Sequence, residues 1–162
     1  MSLNVYRPHV LVLPEDDANR QIVNGFLLAS RLQHRLVHVL SPAGGWLRTI
    51  NALAERYTRG LVTFVDRRMV VLIDFDDDVV RRCQYVESTV PREIAQRVFL
   101  LGVRTEPEDL RGQCRRSFES IGLELAGACA SGELGLWQHE LLRHNQAELD
   151  RLMSDVRPFL FA

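Results

Sequence analysis

The chain alternates between two rhythms. His9-Val10-Leu11-Val12-Leu13 reads as a short apolar strand, ended by Pro14 before Glu15-Asp16-Asp17. From Ala18 the apolar residues Ile22, Val23, Phe26 and Leu27 recur at helical spacing, and the acids at 15–17 supply an N-cap and a favourable charge for the helix dipole. This spacing predicts a helix to about Ser30. A second strand is expected over 36–40, closed by Ser41-Pro42-Ala43-Gly44-Gly45, and then a helix with apolar positions 46, 47, 50, 53 and 54. Residues 61–65 read as a short strand or as the end of a neighbouring element. Met69 to Ile73 is a continuous apolar run, as a strand covered on both faces requires. Val98 to Val103 is a further strand, with Thr105 as a capping residue and Pro107 near a helix start.

Strands alternating with helices predict an α/β fold, a mostly parallel sheet flanked by helices. From Ser117 onward the pattern is helical, with Phe118, Ile121, Leu125, Trp137, Leu141, Leu149, Leu152 and Val156 facing a core and Gly132 and Gly135 separating two helices. The expected organisation is a single domain: an α/β core over 1–105, with a helical C-terminal region over 106–162 packing on it. The stripe of Trp137, Leu141 and Leu149 completes an internal core or receives a protein partner or a dimer mate.

The strand ending at Ile73 runs directly into Asp74-Phe75-Asp76-Asp77-Asp78. Ligands of open α/β sheets bind where the carboxyl ends of the strands open, so Glu15–Asp17 and Asp74–Asp78 are expected on one edge, adjacent if their strands are neighbours. On an extended backbone Asp74 and Asp76 share one face. Crowded carboxylates repel unless one holds a proton or a cation neutralises them. Mg²⁺, or Mn²⁺ with similar preferences, suits an all-oxygen site completed by substrate phosphate and water. One ion with bonds of ~2.1 Å cannot be shared if the carboxylates lie more than ~10 Å apart. The alternative is plain: solvated acids at strand ends, with Asp16 or Asp17 serving only as helix caps.

Composition narrows the chemistry. With 20 basic residues, all arginine, against 21 acidic ones, the net charge is −1, which excludes a globally basic nucleic-acid binder but not a local basic face. Lysine Schiff-base chemistry is excluded outright. Cys83, Cys114 and Cys129 are far apart and have no zinc-ligand spacing. His139 and His144, five apart, would point to different sides of a helix. No apolar run is long enough to span a bilayer and no signal segment opens the chain, so a cytoplasmic location without membrane contact is expected.

The order strand, acid, helix, strand, Gly44-Gly45, helix, strand, Asp-x-Asp resembles the Toprim domain over roughly residues 9–103. Toprim is the catalytic module of topoisomerases, primases and several nucleases, including those of the overcoming-lysogenization-defect type. The resemblance implies Mg²⁺ bound by Glu15, Asp74 and Asp76, with Asp78 as an added ligand, and Mg²⁺-dependent phosphodiester chemistry on DNA or RNA. The same three residues would be catalytic, in a small nuclease or nuclease subunit. Arg20, Arg81 and Arg82, with the amides of Gly44 and Gly45, would contact phosphate. Asp16 stands where the family usually has glycine, and Asn19 where it has a further acid. The stretch from Val10 to Val23 also resembles the start of a response-regulator receiver domain, with Asp74 as phosphoacceptor, although the lysine of that family is absent. A non-catalytic protein-interaction module with a degenerate version of either fold is the alternative function.

Overall fold

A computed structural model describes residues 2–161. Four strands, β1 (His9–Pro14), β2 (Val37–Val39), β3 (Arg67–Leu72) and β4 (Val98–Leu101), form one sheet in the order β2-β1-β3-β4. Every pairing is parallel, with Val12 opposite Val70 and Val71 opposite Leu100. Parallel strands need crossovers, and helices supply them: α1 (Asp17–Phe26), α2 (Trp46–Ala52), α3 (Thr58–Thr63) and α4 (Val79–Thr89). A π-helical turn, Leu53–Tyr57, joins α2 to α3. After β4 come α5 (Pro107–Cys114), α6 (Phe118–Ser131) and α7 (Gln146–Leu160).

The period of two along each strand builds two cores. Val10, Val12, Val70, Phe99 and Leu101 face one side, where they pack with Val23, Ile121, Leu125, Leu149, Leu152 and Val156 from α1, α6 and α7. Leu11, Leu13, Met69, Val71 and Leu100 face the other, against Ile50, Leu53, Leu61 and Val86. The result is the expected α/β fold, three layers with the sheet in the middle. Trp137, Leu141 and Leu149 are buried within the first core. No helix among the described residues is long and apolar enough to cross a membrane.

Side chains close the free edge of β4. Asn145 accepts from the Gly102 amide and donates to its carbonyl at 3.1 and 2.9 Å, Glu148 accepts from the Leu100 amide at 3.1 Å, and Arg151 donates to the Val98 carbonyl at 2.6 Å. These bonds satisfy backbone groups that would otherwise offer an edge for pairing. Arg68 grips Asp155 through two hydrogen bonds of 2.9 Å, tying α7 to β3.

Several sequence expectations change. Of the two readings of residues 61–65, the end of a neighbouring element holds and the strand does not: Leu61 to Thr63 finish α3, because buried Leu61 anchors that helix in the second core while Val62 and Val65 stay exposed. The first helix stops at Phe26 rather than near Ser30, where the Leu28 and Ala29 amides turn back to the Gly25 and Phe26 carbonyls. The strand through 69–73 ends at Leu72. Beyond it Asp76 and Asp77 adopt left-handed φ values of 47° and 59°, so Asp74 and Asp76 do not share the face of an extended strand. Asp, with its short polar side chain, is one of the few residues that accept this conformation.

Candidate metal centre

The register of the sheet brings the acids together. Pro14 is opposite Leu72, and one step further the Glu15 amide donates to the Leu72 carbonyl at 2.8 Å. The chain exits of β1 and β3 therefore lie side by side at the carboxyl edge, the place expected for a site in this class of sheet. There the Asp74 amide donates to Oε2 of Glu15 at 2.6 Å.

Asp16 occupies the N-cap of α1, with extended backbone and a side chain that accepts from the Asn19 amide at 3.0 Å. The Asn19 side chain then bridges two acids: its Nδ2 donates to Oδ1 of Asp16 at 2.9 Å and to Oδ1 of Asp74 at 2.8 Å. Glu15, Asp16 and Asp74 each present a carboxylate oxygen such that all three atoms lie within 4.8 Å of one another. Oxygens around an ion with ~2.1 Å bonds span up to ~4.2 Å, so a small contraction closes the set.

Burial sets the electrostatics. Glu15 and Asp74 are each only 9% exposed. Loss of water pushes the Asp74 carboxyl up to about 7; the charges of Glu15, Asp16 and Glu108 reinforce the shift, and the Asn19 hydrogen bond opposes it. Glu15 is raised as well, first by burial, while the Asp74 amide pulls it back. Glu106, just before α5, is raised chiefly by the charge of Glu108, with Asp76 and Asp16 contributing. The acidic edge thus extends to the exit of β4. Glu106 and Glu108 are not among the expected site residues, although the Glu106-Pro107-Glu108-Asp109 run after a strand is the signal that points to them.

The other candidates surround this cluster and are engaged by protein partners. Asp76 is exposed, and its Oδ2 accepts from Arg82 at 2.8 Å. Asp77 faces Arg104 at 3.2 Å, and Asp78 faces the exposed Arg81 at 3.8 Å. Arg82 also donates to the Asp74 carbonyl and lies 4.5 Å over the Trp46 ring, which meets Tyr85 edge-on at 5.5 Å. It buttresses the loop that carries Asp74. Arg20 is held by Asp17. Gly44 and Gly45, with φ of 82° and 112°, direct their amides to the Glu15 carbonyl at 2.9 and 3.4 Å. Those amides hold Glu15 in place and are not open to phosphate.

The donor set fits a hard divalent cation. One oxygen of each carboxylate is fixed by a protein donor, namely Glu15 Oε2, Asp16 Oδ1 and Asp74 Oδ1. Glu15 Oε1, Asp16 Oδ2 and Asp74 Oδ2 have no hydrogen bond among the described residues. No protein-family model, curated protein or solved structure matches the chain.

Proposed function

We propose that the chain holds Mg²⁺ or Mn²⁺ through Glu15, Asp16 and Asp74 and hydrolyses a nucleic-acid phosphodiester there, as a small Toprim-like nuclease or nuclease subunit. The observation that carries this reading is the split role of the three carboxylates: one oxygen of each is fastened to the protein and the other is left without a donor. Three acids so placed need a proton or a cation, and an all-oxygen set with no histidine or cysteine favours a hard cation. Asp16 takes the role that the sequence resemblance gives to Asp76.

Such a cation, when bound, supplies polarisation of a phosphoryl oxygen and a lowered pKa for water. The chain's own residues fix the geometry. Asn19 orients Asp16 and Asp74, the Asp74 amide orients Glu15, and the Gly44 and Gly45 amides hold the Glu15 backbone. Arg82 braces the Asp74 loop, and its positive charge favours the ionised form of Glu15. Arg20 is paired with Asp17, the residue after Asp16.

The test is cleavage of plasmid DNA and of RNA with Mg²⁺ or Mn²⁺, with Asp74→Asn and Glu15→Gln in parallel. Metal-dependent cleavage lost in both variants supports the reading. Cleavage untouched by both contradicts it, and metal binding without cleavage of either polymer favours the non-catalytic module.

A further inference from the structure

Helix α6 ends on Gly132 at φ 76°, the residue type that such a left-handed cap favours. Helix α5 ends in the same conformation on Arg115, at φ 53°, where a Cβ is strained. The side chain of Arg115 is exposed and makes no hydrogen bond or ion pair among the described residues. The dipole of α5 accounts for a cation near its C-terminus, and Arg111 already provides one. A second arginine, at a position that glycine would fill without strain, is not needed for the dipole.

Arg111, Arg115 and Arg116 line a shallow groove of about 420 Å³, with Gln21, Ser117 and one carboxylate, Glu119, on the same lining. Arg116 is paired with Glu124, and Arg111 lies 4.5 Å over the Phe118 ring. The first turn of the long helix α6 borders the groove and adds the positive end of its dipole. Gln21 links the groove to the acidic edge: its amide donates to Asp17 Oδ2 at 2.7 Å, and Asp17 adjoins Asp16. At a rise of 1.5 Å per residue, Asp16 and Gln21 are separated by ~8 Å along α1.

We infer that this arginine groove binds a backbone phosphate of the polynucleotide whose phosphodiester lies at the Glu15–Asp16–Asp74 centre. The inference rests on the nuclease reading for the polymer and on the groove's own charge for the phosphate. Two sites joined by α1 suit a polymer, which carries a phosphate at every nucleotide, whereas a mononucleotide's single phosphate fills only one of them. Cation-held phosphate at one end and guanidinium-held phosphate at the other would define the direction in which the strand lies.

The experiment uses the full chain, the wild type and Arg115→Gly, with a labelled single-stranded oligonucleotide in EDTA and fluorescence anisotropy across a salt series. Glycine relieves the left-handed strain, so Arg115→Gly is expected to melt no lower than the wild type. It is expected to bind the oligonucleotide several-fold more weakly, with a salt slope shallower by roughly 0.7, the loss of one phosphate contact on a single strand. Unchanged affinity and slope would overturn the inference. A heparin fragment bound as tightly as the oligonucleotide, and weakened equally by the substitution, would overturn the assignment to nucleic acid. Cleavage of bis(p-nitrophenyl) phosphate with Mn²⁺ reports the acidic centre alone. If that ester is cleaved while Arg115→Gly binds normally, the groove fails and the nuclease reading stands. If it is never cleaved, the plasmid and RNA stay intact and binding still weakens, the nuclease reading fails and the groove stands as a phosphate site.

Discussion

The Asn19 side-chain amide donates to Oδ1 of Asp74 across 2.8 Å, joining residues 55 positions apart in the chain. The same nitrogen donates to Asp16, so a single neutral side chain holds two acids at the spacing of the centre. This makes Asn19 more than a substitute for an acid at that position. Asn19→Asp would remove both donors and add a fourth carboxylate. It is expected to destabilise the chain by about 2 kcal/mol in EDTA at neutral pH, with much of the loss recovered on adding Mg²⁺. Thermal melts with and without the cation check this.

The Asp74 carboxyl gives a signed pH dependence. Its value is 3.8 in a free side chain and about 7 in the fold, where burial dominates. Between those limits the folded chain keeps a proton that the unfolded chain has lost, so this group's contribution to stability is full below about 3.8 and lost as pH rises through about 7. Asn at this position mimics the protonated form. Asp74→Asn is therefore expected to match the wild type near pH 4 and to exceed it by on the order of 2 kcal/mol above pH 7 in EDTA. Denaturant titrations of both chains across that range measure the difference.

Much of the fold is legible in the sequence, because three of its four strands contain uninterrupted apolar runs. Val10 to Leu13, Met69 to Leu72 and Val98 to Leu101 all become strands of a parallel sheet, and the acids after two of them meet at one edge. What periodicity does not carry is the local backbone after Leu72. The left-handed turn at Asp76 and Asp77 rotates Asp76 toward Arg82, and the N-cap geometry of α1 brings Asp16 inward in its stead. Asp16 read from sequence as a cap, and it is one; its second oxygen is what a cap does not use. Residues 61–65 look β-like from their Val and Phe content, but the helix continuing from the π turn overrides that preference.

Close packing of α1 on α6 gives a test of the fold that supports the site. A Cβ on Gly122 would lie 1.9 Å from the Ile22 carbonyl oxygen and 2.7 Å from the Phe26 nitrogen, whereas one on Gly127 of the same helix meets nothing within 4 Å. Gly122→Ala is expected to cost about 2–3 kcal/mol. Gly127→Ala should be neutral or stabilising by up to about 1 kcal/mol, from helix propensity. Calorimetric melting of the pair distinguishes packing from propensity.

Arg82 touches the Asp74 carbonyl, the Asp76 carboxylate and the face of Trp46. Lysine keeps the charge but loses the planar fork that makes these contacts together. Arg82→Lys is expected to lower stability by about 1–2 kcal/mol and to shift Trp46 emission, and to weaken Mn²⁺ binding by loosening the Asp74 loop. Trp137 is buried in the other core, so a Trp46→Phe control assigns the change in emission.

A divalent cation held by Glu15, Asp16 and Asp74 would bind in solution with a measurable heat. Isothermal calorimetry of Mn²⁺ against the full chain near pH 8, where Asp74 is ionised, tests it most directly, with Asp16→Asn and Asp76→Asn as paired variants. Saturable binding is expected, lost or weakened at least about tenfold in Asp16→Asn, a difference of about 1.4 kcal/mol, and largely kept in Asp76→Asn. No saturable binding to the wild type, or binding that depends on Asp76 and not on Asp16, would contradict it.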